Sequence, residues 1–247
     1  MTNKLNLIKQ IIMKSIFYLI IVLVMTSAGY SQSAEEFYKK GVANYDLQDF
    51  KGAIEDFTKS IELDSTHAET YHNRGVAKKV LQDYTGAIAD YSKTIELDPK
   101  DTSAYDNRGN AKCELQDFKG AISDFSKAIE LNSGHYRAYY NRGTAKSDLQ
   151  NYEGAITDYT NAIELNPKYA IAYFNRGNAK CYLQDYKGSI SDYTKAIELD
   201  SNDADAYYNR GLSKIELGQK DSGCLDFNKA KELGHTEASA AINKYCY

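Results

Sequence analysis

Proline is scarce in this 247-residue sequence, which contains only Pro99 and Pro167. Because proline breaks helix interiors, this low content is compatible with a largely helical protein. Tryptophan is absent, whereas there are 22 tyrosines and eight phenylalanines. With 43% hydrophobic and 26% charged residues, the chain can bury a sizeable core, in which the excess of tyrosine needs a structural role.

Motifs that would carry catalysis or bind a cofactor are missing as well. The sequence has no Cys-x-x-Cys pair, and its four histidines do not form a metal-ligand pair on one helix face. It has no glycine-rich phosphate loop, and no cysteine has a recognisable base partner. We therefore expect no metal site, no cofactor, no catalytic residues and no enzymatic activity.

The charge balance is mildly acidic, with a formal net charge of −4. Residues 1–31 contain three lysines and no acids, so the rest of the chain carries −7. Binding to nucleic acid without sequence preference requires clustered lysine and arginine against the phosphates. A nucleic-acid partner is therefore not expected.

The N-terminus has the pattern of a secretory signal peptide, which we place at 1–31. Lysines precede the apolar run Ile16–Met25, and small and polar residues follow it. Ten apolar residues fit a signal peptide but fall short of the ~20 that a membrane-spanning helix needs. Export to the periplasm or the exterior is predicted, with an uncleaved membrane anchor as the alternative. The start (Met1 or Met13) and the cleavage site (after Gly29 or Ser31) stay open.

An internal repeat of 34 residues governs the rest of the chain. Glycines recur at this spacing without insertions: Gly41, Gly75, Gly109, Gly143, Gly177 and Gly211. Taking each glycine as position 8 of a repeat, the array spans 34–237. The six repeats are 34–67, 68–101, 102–135, 136–169, 170–203 and 204–237.

Each repeat has the apolar periodicity of two helices, which we call helix A and helix B. Positions 4, 7/8, 10/11 and 14 form one helical stripe, and positions 17, 20, 21, 24 and 27/28 form a second. An N-cap residue precedes the second stripe in five repeats: Asp49, Asp83, Asp117, Asn151 and Asp185. The segment 238–247 has apolar residues at helical spacing, which predicts a C-terminal cap helix.

This pattern resembles the tetratricopeptide repeat (TPR) family over residues 34–237. The resemblance implies an all-α, right-handed α-solenoid of six helix-turn-helix repeats plus a C-terminal capping helix. Repeats two to six depart from the family in having arginine at position 7 and lysine at position 11, as in Arg108 and Lys112. With the aspartate at position 23, these cations form either a ladder of ion pairs or a basic stripe for an acidic partner.

The resemblance also implies a concave binding face, lined by helix A positions 2, 5, 6, 9, 12 and 13. An asparagine row at position 6 can hydrogen-bond the backbone of an extended peptide, and aromatic residues offer rigid contact area. The alternative is that these side chains are simply solvated. The predicted peptide-binding residues are Asn73, Asn107, Asn141, Asn175, Asn209, Tyr140, Phe174, Tyr208, Asn110, Asn178 and Arg137. No repeat has the position-5 lysine with which some family members clamp a C-terminal carboxylate.

Four cysteines are present: Cys113, Cys181, Cys224 and Cys246. Cys113 and Cys181 lie two repeats apart, which is too far for a disulfide. Free, partly buried thiols are expected, although Cys224 and Cys246 could meet between the last B helix and the cap helix.

The sequence thus predicts a scaffold or assembly adaptor that binds a protein or peptide of unknown identity outside the cytoplasm. Two alternatives stay open: a structural envelope protein that self-associates as a homo-oligomer, and a regulatory subunit without activity of its own.

Overall fold

The computed structural model describes residues 33–247, which contain thirteen α-helices and no β-strand. The predicted signal peptide lies outside the described residues. The chain divides into two compact units, and the boundary falls between Ser65 and Thr66. The predicted all-α fold of paired helices is confirmed.

The described part of the first unit consists of α1 (Ala34–Asp46) and α2 (Phe50–Leu63). The second unit contains five further A/B pairs and the cap helix. Its helices are α3 (Ala68–Val80), α4 (Tyr84–Leu97), α5 (Thr102–Glu114), α6 (Phe118–Leu131), α7 (Tyr136–Asp148), α8 (Tyr152–Leu165), α9 (Ala170–Tyr182), α10 (Tyr186–Leu199), α11 (Ala204–Glu216), α12 (Lys220–Glu232) and α13 (Ala238–Tyr245). Each A helix of this unit packs on its own B helix, and each B helix packs on the next A helix, as in a TPR solenoid.

A tight turn separates helix A from helix B in every pair. Helix A ends at position 13, and position 15 adopts the left-handed conformation, with φ of 60° at Gln116 and 74° at Gly218. The predicted N-cap residues of the B helices are confirmed: Asp117 Oδ1, for example, accepts from the Gly120 amide at 2.9 Å. In the first five pairs the turn therefore closes with one strained residue and one side-chain cap, whereas the sixth has Gly218 and no side-chain cap.

The interior of each pair is built on the contact between positions 8 and 24. Phe125 is fully buried, and a Cβ added to Gly109 would lie 2.7 Å from its Cε1 atom. Any side chain at position 8 would push this ring away. The exact 34-residue spacing of the glycines therefore reflects the approach of helix A to a buried ring on helix B.

In repeats one to five, the position 14 leucines are exposed and do not join the apolar stripe to which the periodicity assigned them. They directly follow helix A as its C-cap residues, and Leu115 and Leu149 are 49% and 42% exposed. The reason is that the helical path ends one residue earlier, so this side chain points away from the pair.

The C-terminal end is fixed by α13, which packs on α12. Ile242 of α13 is buried against the ring of Phe227. A disulfide joins Cys224 of α12 to Cys246, which directly follows α13. The expectation of free thiols is therefore wrong for this pair, because the cap helix returns its last turn to α12. Cys113 and Cys181 are free, as predicted.

None of the helices in the described range, 33–247, has the length and apolar character needed to cross a membrane.

Candidate protein-binding face

The predicted binding residues lie on the A helices of the second unit. We use "A-helix face" for positions 2, 5, 6, 9, 12 and 13 of α3, α5, α7, α9 and α11. All the predicted side chains on it are half-buried except that of Arg137, which is exposed.

The arginines and lysines of positions 7 and 11 form ion pairs with buried aspartates. Asp124 on α6, which is 3% exposed, accepts from Arg108 Nε at 2.9 Å and Nη2 at 2.6 Å, and lies 2.7 Å from Lys112 Nζ. The same three-residue network recurs in repeats two to six. Because a buried charge must be paired, the cations serve the fold. The ladder of ion pairs is confirmed, and the basic stripe is not available to a partner.

The first unit has a reduced form of this network. Asp56 is paired with Lys40 at 3.3 Å and accepts from the Asn44 amide at 2.7 Å.

Each of four arginines also links its repeat to the preceding one. Arg142 Nη1 donates to Ser126 Oγ at 3.0 Å, while its Nε and Nη2 donate to Asp158. Its guanidinium stacks over the ring of Tyr139 at 5.6 Å, so that position 4 packs against position 7. The equivalent links to a serine or threonine are made by Arg108, Arg176 and Arg210.

The asparagine row forms hydrogen bonds along the array. Asn141 donates to Asp106 Oδ1 at 3.3 Å, and Asn175 donates to Tyr140 Oη at 2.9 Å. Asn209 donates to Asn178 Oδ1 at 3.3 Å, whereas Asn107 accepts from Lys79 at 2.9 Å. The row thus connects neighbouring A helices. From the sequence, only peptide binding or solvation was expected of these side chains.

These hydrogen bonds occupy only part of the capacity of each amide. Within residues 33–247, the side-chain oxygens of Asn141, Asn175 and Asn209 have no hydrogen-bond partner. Each amide also has a second N–H group. Both an acceptor and a donor therefore stay available on these three A helices.

The aromatic residues of position 5 stack onto the core. Tyr140 contacts the rings of Tyr159 and Tyr169 at centroid distances of 5.8 and 5.1 Å, and Phe174 contacts Tyr193 at 5.8 Å. Burial raises the pKa of Tyr140 and keeps its hydroxyl protonated.

The last aromatic of the row is covered on one side. The imidazole of His235 stacks on the Tyr208 ring at 4.0 Å, in the segment that leads into α13. This leaves Tyr208 with less accessible area than its position suggested.

The remaining predicted residues have local partners. Asn110 donates to Asp106 Oδ2 at 3.0 Å, and Asn178 accepts from the Tyr193 hydroxyl at 2.7 Å. Arg137 lies over the ring of Tyr136 at 5.7 Å. Asn73 is half-buried on α3.

A cavity of about 310 Å³ opens on this face between α9 and α11. It is lined by Asn178, Cys181, Tyr182, Tyr193, Asn209 and Leu212. These residues line it with both amide groups and apolar surface.

Acidic side chains of the A-helix face were not among the predicted site residues. Glu114 and Asp148 occupy position 13 of α5 and α7, and Asp106 occupies position 5 of α5. Burial raises the pKa of Asp106 and of Asp148. A count of charges by repeat position would have identified them from the sequence.

Over the same described range, no three histidine, cysteine or acidic side chains are grouped so that they could hold a metal ion.

Comparison with known proteins gives matches along the whole array. The "TPR repeat" family model matches residues 143–181 and 177–218. Two "Tetratricopeptide repeat" models match 68–101, and 34–67, 102–135 and 204–233. No curated protein matches the chain significantly.

Several solved structures share the fold. MamA is 27% identical, with a TM-score of 0.65 over 70% of this chain and 94% of MamA. YrrB, described as a TPR protein with an unusual peptide-binding site, is 26% identical, with a TM-score of 0.67 over 76% of this chain and 97% of YrrB. The Pseudomonas aeruginosa protein pilF, at 14% identity and a TM-score of 0.70 over 84% of this chain and 97% of its own, shares the fold alone. With repeat models matching along the array and solved structures of the same architecture, this chain belongs to the tetratricopeptide repeat family.

Proposed function

We propose that this protein binds an extended segment of a partner protein along its A-helix face and acts as a scaffold or assembly adaptor. The observation that carries this proposal is the asparagine row. Its amides join successive A helices, and the side-chain oxygens of Asn141, Asn175 and Asn209 have no hydrogen-bond partner within residues 33–247.

An extended peptide backbone offers alternating N–H donors and C=O acceptors that must be satisfied when it leaves water. An asparagine amide can pair with both groups. Because the hydrogen bonds to neighbouring helices already hold these amides in place, the asparagine side chains would lose little additional entropy when a guest binds.

The relatives support an interaction role. Members of this family are usually scaffolds without catalytic activity, and YrrB is described as having a peptide-binding site. The aromatic rings of Tyr140 and Phe174 add rigid apolar area beside the asparagines.

We place the protein outside the cytoplasm, in the periplasm or secreted. The signal-like pattern at residues 1–31 supports this location, and so does the disulfide between Cys224 and Cys246, because such bonds persist in oxidising compartments. N-terminal sequencing of the native protein tests it. A mature chain that begins near residue 30 or 32 is expected, and an intact N-terminus in a cytoplasmic fraction would contradict it.

Selection of random 12-residue peptides displayed on phage against the full chain tests the binding function. Enriched peptides are expected to lose at least tenfold in affinity for the triple variant Asn107→Ala, Asn141→Ala, Tyr140→Ala, because several contacts of about 1 kcal/mol are removed.

The matched control changes three side chains on the outer surface of the B helices: Lys127→Ala, Glu130→Ala and Lys195→Ala. It is expected to bind like the wild type. Equal binding by the wild type, the triple variant and the control would show that the A-helix face is not the binding site. Failure to enrich any peptide, with a sedimentation coefficient that rises with concentration, would favour self-association instead.

A further inference from the structure

The A-helix face carries a surplus of negative charge. Its defined positions in the second unit hold six carboxylates and two cations. The carboxylates are Glu69, Asp106, Glu114, Asp148, Asp205 and Glu216, and the cations are Lys79 and Arg137.

Most of the cations elsewhere in the unit are already paired with acids of their own. The arginines and lysines of positions 7 and 11 are paired with buried aspartates, as described above. Four B-helix lysines are paired with a glutamate three residues later: Lys93, Lys127, Lys195 and Lys229. These fourteen cations are therefore paired with acids away from the face.

The charge is concentrated where α5 meets α7. Burial, together with the negative charges of Asp148, Glu114, Asp117 and Asp106, raises the pKa of the Cys113 thiol to about 11. Four carboxylates therefore lie near this thiol, and three of them belong to the A-helix face. The hydrogen-bond donors to Asp106 are the neutral amides of Asn110 and Asn141. The basic groups that act on this carboxylate are His135 and Lys79.

Two helices further along, the character of the face changes. The cavity between α9 and α11 is lined by amide, thiol, phenol and leucine side chains and by no charged residue. Its volume of about 310 Å³ can take a large apolar side chain beside the amides of Asn178 and Asn209.

We infer that the guest is a basic extended peptide, with lysine or arginine facing Asp106, Glu114 and Asp148 and an apolar residue entering the cavity between α9 and α11. This inference rests on the proposed function and names its partner class. Neighbouring helices are 8–10 Å apart, so the two sites are separated by roughly 20 Å, which an extended chain covers in about six residues.

The test uses the same random 12-residue phage library on the full chain and on the charge variant Asp106→Asn, Glu114→Gln, Asp148→Asn. Peptides enriched on the wild type are expected to contain at least twice the lysine and arginine of the unselected library. Their affinity is expected to fall about tenfold on the charge variant, the loss that three weak ion pairs produce.

A matched control neutralises three carboxylates on the B helices instead: Glu96→Gln, Glu130→Gln and Glu198→Gln. It should leave the dissociation constant unchanged. A salt titration of the wild type needs no variant, and binding should weaken between 50 and 500 mM NaCl because screening acts on exposed charge pairs.

The outcomes separate the two proposals. Enriched peptides that lose binding to the Asn107, Asn141 and Tyr140 triple variant but are not basic would overturn this inference and leave the proposed function standing. The same holds if their affinity changes neither with salt nor on the charge variant. If no peptide is enriched, both fail.

Discussion

Asp124 is a buried acid shared by two cations, and its removal should have a large effect on stability. Asp124→Ala leaves the charges of Arg108 and Lys112 without a partner in a buried setting. We expect a loss of about 3 kcal/mol in the free energy of unfolding, at the lower end for a broken buried pair because both cations retain some access to water. Chemical denaturation followed by circular dichroism measures this.

The control for this prediction is Glu130→Ala, which breaks the exposed pair with Lys127. No measurable change is expected, because exposed pairs of this type contribute little. Equal effects of the two substitutions would show that the buried network is not what stabilises the pair.

Asp106 should make stability depend on pH in the opposite direction to an ion-paired acid. Burial raises its pKa in the folded state, so the folded chain favours the protonated form. Its contribution is therefore most favourable below the ordinary carboxyl pKa of about 4 and is lost as the pH rises through the folded-state value. Asp106→Asn should consequently melt at a higher temperature than the wild type at pH 7.

That difference should close as the pH falls below the ordinary carboxyl pKa of about 4, because the wild-type carboxyl group then becomes neutral too. Comparing the two proteins at each pH cancels the effects of all other acids. A gap that stays constant on acidification would mean that the gain comes from packing rather than from removal of the charge.

The turn between the A and B helices depends on one residue in the left-handed region. Gln116, at φ 60°, is exposed, and a side chain there costs about 1 kcal/mol relative to glycine. Gln116→Gly should therefore raise the free energy of unfolding by up to ~1 kcal/mol, partly offset by the greater freedom of glycine in the unfolded chain.

The sixth repeat provides the reciprocal substitution. Gly218 occupies the equivalent position at φ 74°, so Gly218→Gln should lower stability by a similar amount. Thermal melts of both variants measure these changes. A lower melting temperature for Gln116→Gly would contradict the prediction that glycine is favoured at this position.

The periodicity alone was sufficient to predict the helix pairs and their caps. Gly109 marked the repeat period, and Asp117 marked the start of α6, because both residues serve contacts within one repeat. The left-handed glutamines were missed because glutamine does not favour that conformation. Gly218 at the same position was the available signal.

The candidate face was harder to predict because its contacts cross from one repeat to the next. The bond from Asn175 to Tyr140 joins residues 35 positions apart, and a single repeat contains no information about it. Likewise, nothing in the spacing of Cys224 and Cys246 shows that α13 returns to α12.

For the protein as a whole, thiol chemistry checks how the C-terminal end is held. Alkylation of the denatured, unreduced chain should modify Cys113 and Cys181 only, and prior reduction should expose all four cysteines. In the native protein at pH 8, Cys113 should react slowly because its raised pKa keeps it a thiol.

The double variant Cys224→Ser, Cys246→Ser tests the contribution of the bond itself. The bond closes a loop between residues 22 positions apart, for which chain entropy predicts about 3 kcal/mol. Hydrogen exchange should show the loss first in α12 and α13. An unchanged exchange pattern there would contradict this.

The arginine at position 7 has a consequence for how such a chain can change in length. Arg142 holds Asp158 with one edge of its guanidinium and reaches back to Ser126 with the other, and Arg176 repeats the arrangement 34 residues later. Duplicating one full period in the gene would thus supply both the donor and the acceptor of every new link between repeats. The array can therefore lengthen by whole repeats while every arginine at position 7 keeps its hydrogen bonds.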